Sequence, residues 1–304
     1  MIPTKVNYVK HLRFLRGLWH HIGQVNQGRY PIYLDYAVQP KPRWGWGRPP
    51  HAELHDLIAT GRERYAHTCS ELEAFAHGLK RIPFTTTNER EPHWANAYMA
   101  GLDAATLYAF PKIFGSRRYL EVGSGNSTRF VRRSIDDHRL AMTITSIDPT
   151  PRAFVDEICD EVVRTGLEEA PLEIFDVLEA DDILMLDGSH RCLQNSDVTV
   201  ALLEILPRLR PGVIVFIHDI YLPYDYPAEW ERRYYSEQYL LGAMLLADAG
   251  RRYEILFPAH FCTEDAQLGP QTMDMWGRLA PMDPAVRGSA FWLRIREGAE
   301  TSPT

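Results

Sequence analysis

At 304 residues, with 45% hydrophobic and 24% charged residues, the chain has an ordinary globular composition, which excludes disorder, a collagen-like repeat and a disulfide scaffold. A net charge of -7 and a pI near 6.0 argue against a general nucleic-acid binder, because phosphate neutralisation needs a surplus of Lys and Arg on one face. Cys69, Cys159, Cys192 and Cys262 form no C-x-x-C pair, so neither a zinc knuckle nor a disulfide framework is indicated, and a reducing compartment fits best. The start, Met1-Ile2-Pro3-Thr4-Lys5, lacks the apolar stretch of a signal peptide, and no run of about 18 apolar residues occurs, so a cytoplasmic location without a membrane span is expected.

In chain order, residues 1–50 are rich in aromatic and basic residues, among them Trp19, His20, His21, Trp44 and Trp46, and close on a Pro- and Gly-punctuated stretch that marks an irregular arm. From Ala52 to Leu79 apolar residues recur at helical spacing, and a further helix is expected over Trp94 to Phe110. After Arg117 short apolar runs alternate with helical segments, the pattern of a mostly parallel sheet with helices on both faces. Strands are expected at Tyr119–Val122, Thr143–Ile147, Leu172–Phe175, Ile183–Leu186, Val213–Ile217, Tyr253–Leu256 and Phe291–Ile295. Intervening helices are expected at Thr128–Ser134, Ala153–Arg164, Asp197–Leu206 and Glu229–Leu246, with a long loop at about 257–290. The reading is an α/β, Rossmann-like, seven-stranded domain over 114–304, preceded by an arm and helical extension over 1–113.

The first strand runs into Gly123-Ser124-Gly125-Asn126-Ser127-Thr128, where a glycine turn lets the backbone approach a ligand at the carboxyl edge of the sheet. Thr128 stands where the dinucleotide fingerprint has its third glycine. Glu121, two residues before the turn, suits a cationic amino group, and Asp148, at the end of the second strand, suits ribose hydroxyls. S-adenosylmethionine has both and no pyrophosphate.

The chain also carries Tyr119–Thr128 (YLEVGSGNST), Asp182–His190 (DILMLDGSH), Ile205–Gly212 (ILPRLRPG), His218-Asp219-Ile220, Asp225-Tyr226-Pro227 and Glu237–Leu241 (EQYLL). With these segments, about residues 90–260 resemble a family of bacterial class I S-adenosylmethionine-dependent methyltransferases. The resemblance implies a sheet with one antiparallel strand. It places Glu121, Gly123 and Gly125 on the methionine part, Asp148 on the ribose and adenine contacts around Asp176 and Val177, with Ser124, Asn126, Ser127 and Asp187 also expected to bind the cofactor. A more distant likeness is to macrocin-type, metal-dependent sugar O-methyltransferases. Asp187, His190 and Asp219 match their D-x-x-H turn and following acid, whereas His218 stands where they have an acid.

Independently of family, Asp187 and His190 follow one buried strand and His218 and Asp219 end the next, so all four reach one edge of the sheet. An imidazole there suits removal of a proton from a methyl acceptor. The carboxylates suit Mg²⁺ or another divalent ion. His190, His218 and Asp187 are therefore the candidate catalytic residues, and Asp187, Asp219 and His218 the candidate metal ligands. Against this stands the plain alternative that Asp187 caps a helix and His218-Asp219 braces a loop.

The segment Tyr221–Trp230 suits stacking on a sugar or aromatic acceptor, or packing against the N-terminal helices. Trp94, Asn96 and Asp103 suit a cover over the cofactor. The partners read from the sequence are a saccharide or small-molecule acceptor and no nucleic acid, with a homo-oligomer left open. Two other readings stand beside methyl transfer to a hydroxyl: a nicotinamide-dependent oxidoreductase on the same sheet, and a domain that binds cofactor or glycan without catalysis.

Overall fold

Seven runs, β1 (Arg118–Val122), β2 (Thr143–Ile147), β3 (Glu161–Val163), β4 (Ile183–Leu186), β5 (Ile214–Ile217), β6 (Tyr253–Pro258) and β7 (Phe291–Ile295), pair into one sheet. Their order is β3-β2-β1-β4-β5-β7-β6. β7 runs antiparallel to both neighbours, and the pairs from β3 to β5 are parallel. The computed structural model describes residues 38–99, 101–151, 153–279 and 288–297, with isolated positions between 18 and 35. The expected arm residues His20 and His21 lie outside the described residues. The chain separates into Met1–Pro40 and Lys41–Thr304, and the sheet belongs to the second unit.

β4 and β5 are buried along their whole length, which is why they read as unbroken apolar runs rather than alternating ones. Val122 is in register with both Ile147 and Leu186, and Leu186 with Ile217, so β1, β2, β4 and β5 end level at one edge. Buried Asp182 sets the opposite end of this register: it accepts from the amides of Arg117, Arg118 and Glu179 and from the Arg118 guanidinium at 2.8–3.1 Å.

Helices α1 (Ala52–Ala59), α2 (Arg62–Glu73), α3 (Ala76–Lys80) and α4 (Gly101–Phe114) precede the sheet. They are followed by α5 (Asn126–His138), then α6 (Asp197–Val200), which continues through a π turn at Ala201–Ile205 to Leu206–Arg208. The last are α7 (Glu237–Asp248), α8 (Ala259–Glu264) and α9 (Gly269–Leu279). α4 packs along α5, α2 against α9 and β6, and α1 against α7. α5 is amphipathic, burying Phe130, Val131, Ser134 and Ile135, and it ends at Arg139 in the left-handed region. Among the described residues no helix is long and apolar enough to cross a membrane.

Several expected elements differ from the structure. The third strand is not Leu172–Phe175, which forms a 3-10 helix (Leu172–Val177), but the short edge strand β3, where a helix over Ala153–Arg164 was expected. Glu229–Leu246 is a 3-10 turn at Ala228–Arg233 followed by α7. The loop expected at about 257–290 contains α8 and α9, whose buried Thr272, Met275, Trp276 and Leu279 follow a helical period, while 280–287 lies outside the described residues.

Candidate active site

The level ends of β1, β2, β4 and β5 open into a cavity of about 1000 Å³, whose wall includes Gly123, Gly125, Asp148, Asp187, His190 and Asp219. Ligands in an open α/β sheet sit at this edge.

On the β1–β2 side the turn is held by short backbone bonds. The Ser124 amide donates to Asp148 Oδ2 at 2.9 Å, the Thr150 amide donates to Oδ1 at 2.7 Å, and the Ser124 and Ser146 hydroxyls pair at 2.6 Å. Gly123 has φ +84°, and a Cβ there would lie 1.9 Å from the Asp187 carbonyl oxygen, so only glycine fits between β1 and the end of β4. A Cβ on Gly125 would meet nothing within 4 Å. The protein itself does not need glycine there; the bare position keeps the cavity open to a ligand. Ser124, Asn126 and Ser127 also line the wall.

Two residues expected on the cofactor stand elsewhere. Glu121 does not line the cavity: it is fully buried beneath the first turn of α5 and accepts from the hydroxyls of Tyr119, Ser127 and Thr128. Burial pushes its carboxyl up to about 7, against the three hydroxyl donors that favour the charged form. Asp176 sits on the surface in an ion pair with Arg208 at 2.8 Å, displaced because the true third strand ends earlier. Gly166, Leu167 and Glu168, just beyond β3, occupy the wall that Asp176 was expected to supply.

On the β4–β5 side the turn residues converge. His190 Nε2 lies 3.1 Å from Asp187 Oδ1 and 3.5 Å from Asp219 Oδ2, and its Nδ1 lies 2.9 Å from Glu237 Oε2. His218 spans Asp187 Oδ1 and Asp103 Oδ2, both at 3.2 Å. Burial alone would lower both imidazoles, but the carboxylates outweigh it and hold both well above the ordinary histidine value. Burial would likewise raise Asp187, yet the charge of His218 and the hydrogen bond from His190 hold it well below the usual carboxylate range. His190 and Asp219 have φ of +58° and +56°, so both turns place non-glycine residues in the left-handed region beside the cavity. The β4 turn is fixed by Asp197, which accepts from the Ser189 amide and hydroxyl, and by the His190 carbonyl, which accepts from the amides of Ser236 and Glu237.

The structure adds two groups to which the sequence assigned no such role. Glu237, at the start of α7, orients His190; Asp103, on α4, accepts from the Ser289 and Ala290 amides and from His218 rather than covering a cofactor. Trp94 is buried against Phe130 and Trp276. Most of Tyr221–Trp230 packs on itself and on the arm end: Asp225 accepts from the Arg43 and Trp44 amides and the Tyr239 hydroxyl, and Trp46 stacks on His260. Trp230 does reach the wall, joined by Arg233 and Tyr235.

The donor set does not fit the expected metal. Both ring nitrogens of His218 face carboxylates, which leaves no lone pair for a cation. Among the described residues no group of three or more His, Cys, Asp or Glu side chains is arranged to hold a metal ion. An open glycine position, a carboxylate anchored at the end of β2 and a wall segment beyond β3 face one cavity.

Residues 120–220 match the family model described as a methyltransferase domain. The matched segment holds most of β1, all of β2, β4 and β5, and the glycine turn after β1, and the sheet order with its antiparallel β7 is Rossmann-like. No curated protein matches the chain significantly. Among solved structures it is similar to the MycE methyltransferase of the mycinamycin pathway, in complex with Mg, SAH and mycinamycin VI (15% identity, 77% of this chain, TM-score 0.40). The chain spans 57% of that protein's length. It is also similar to SAH-bound Podospora anserina methyltransferase PaMTH1 (14% identity, 84% of this chain and 100% of that one, TM-score 0.39). A third likeness is to the plantazolicin methyltransferase BpumL (14% identity, 81% of this chain and 95% of that one, TM-score 0.40). Likenesses this distant carry nothing about acceptor or metal.

Proposed function

We propose that the protein uses S-adenosylmethionine to methylate a hydroxyl of a small acceptor, a saccharide or small natural product, with His190 taking the acceptor's proton. The observation that carries this reading is the convergence on one cavity of the β1 turn with Asp148 and the His190 cluster. When bound, S-adenosylmethionine would supply a sulfonium methyl group for in-line attack by an acceptor oxygen, with S-adenosylhomocysteine as the leaving group. Asp148, its two oxygens fixed by the Ser124 and Thr150 amides, is positioned for sugar hydroxyls. Gly166 to Glu168 bound the neighbouring wall.

Glu237 holds the His190 Nδ1 proton; Nε2, which at rest carries a proton facing Asp187 and Asp219, becomes the acceptor once that proton is lost. Those two carboxylates stabilise the imidazolium that forms. His218, held between Asp103 and Asp187, is a fixed cation that keeps Asp187 charged rather than a second base. Trp230 and Tyr235 give the acceptor end an aromatic wall, with the Tyr235 ring 4.6 Å from that of His190. No step needs a divalent ion.

Thermal denaturation with S-adenosylmethionine or S-adenosylhomocysteine tests the reading. Ligand at about a hundredfold above Kd stabilises by about 2.7 kcal/mol, and Asp148→Ala should remove most of that gain. No shift with wild-type protein at millimolar ligand overturns it, and a shift with a nicotinamide dinucleotide instead would favour the oxidoreductase.

A further inference from the structure

Two buried nitrogens on the cavity wall have no hydrogen-bond partner, Arg129 Nε and His93 Nδ1. Arg129 is 9% exposed and sits in the first turn of α5, where its Nη1 donates to Asn126 Oδ1 at 3.1 Å. Its helix neighbours Arg132 and Arg133 are each paired with an aspartate, at 2.9 Å. Arg129 has no such pair among the described residues; Glu89, on the same wall, acts on it only through its charge. Burying an unpaired guanidinium is unfavourable, so a position that keeps one is complete only when an anion arrives. The Gly125 amide is taken by the Thr128 hydroxyl at 3.1 Å, and Asn126, which opens α5 on the same wall, brings the positive end of the helix dipole there.

The rest of the wall narrows the anion. Asp148, Glu168, Asp187 and Asp219 make it acidic, which opposes a polyphosphate and suits one carboxylate on an otherwise neutral or cationic molecule. We infer that Arg129, with His93 and the first turn of α5, anchors the amino-acid carboxylate of the methyl donor. This rests on the methyl-transfer reading and changes it in one respect. The amino-acid end is held through its negative group by a cation, not through its amino group by Glu121, which is enclosed beneath the helix.

The test compares two nucleosides by calorimetric titration of the full chain: S-adenosylhomocysteine, which carries the carboxylate, and 5'-methylthioadenosine, which lacks it. Arg129→Gln should weaken S-adenosylhomocysteine by roughly tenfold to a hundredfold and leave methylthioadenosine within about twofold. Unchanged S-adenosylhomocysteine affinity overturns the inference, as does an equal loss of both ligands, the mark of a packing role. Should the Gln variant not fold, Arg129→Lys keeps the stem and charge but loses the planar fork, and the same selective loss, at least about fivefold, is expected. If neither nucleoside binds the wild type, the methyl-donor reading itself has failed; if both bind and Arg129→Gln changes nothing, only the carboxylate anchor has.

Discussion

Between β1 and β2 the cavity wall is made by backbone amides, hydroxyls and one surface-facing carboxylate, Asp148, whereas between β4 and β5 it is made by two imidazoles crowded by four carboxylates. The first side depends on shape. A glycine that cannot be replaced lies next to one that the protein does not need. The second side depends on charge, with Asp187 holding His190 and His218 protonated and those two imidazoles holding Asp187 charged. Substitutions on the two sides should therefore fail differently, one in folding or affinity and the other in turnover.

The sharpest separation is His190→Ala, which should lower kcat by about 10²- to 10⁴-fold while S-adenosylhomocysteine binding stays near wild type, measured by turnover and calorimetry on the same preparation. Retained turnover would return the base role to His218. Next, Gly123→Ala forces Cβ against the Asp187 carbonyl and should cost about 3 kcal/mol or more in urea denaturation; Gly125→Ala should cost less than about 1 kcal/mol yet weaken nucleoside binding. Equal effects at both glycines would erase the distinction. Glu121→Ala leaves the Tyr119, Ser127 and Thr128 hydroxyls without their common acceptor and should cost about 1–3 kcal/mol in stability rather than acting through a lost ligand contact.

Solution pH separates the two sides more gently. His190 and His218 have raised folded pKa values, so their contribution to stability is complete below the ordinary 6.5 and is lost as pH rises through the raised values. Glu121 acts in the same direction between 4.5 and about 7. Thermal unfolding should show stability falling across this window while the rate rises, because His190 accepts a proton only after losing its own. A rate that falls together with stability would contradict the proton-acceptor role. The smallest expected effect is that of EDTA: turnover should be unchanged, and a loss reversed by Mg²⁺ would reinstate Asp187, Asp219 and a vacated imidazole nitrogen as ligands.

The central strands were legible because β4 and β5, covered on both faces, are unbroken apolar runs, and β1 and β2, nearly as buried, are rich in β-branched and apolar residues. β3 was not, since its three residues, Glu161 to Val163, lie at the sheet edge with little burial to leave a pattern. That single slip moved the expected wall segment to Asp176, which does not line the cavity, from Gly166–Glu168, which does. α9 was hidden by Gly269 and Pro270, which mark a loop in a linear reading but open a helix here. In the site, Asp148, Asp187, His190, His218 and Asp219 were visible because each ends a strand. Glu237 and Asp103 reach their imidazoles from 47 and 115 residues away, and no local spacing encodes such a meeting.

His190 and Asp219 are held at positive φ, a conformation that costs a side-chain-bearing residue about 1–2 kcal/mol and costs glycine almost nothing. Each is therefore a residue whose removal relieves the chain. Replacing either by glycine offsets part of the stability lost with its ion pairs, so a glycine variant at either turn should be less destabilised than the alanine variant.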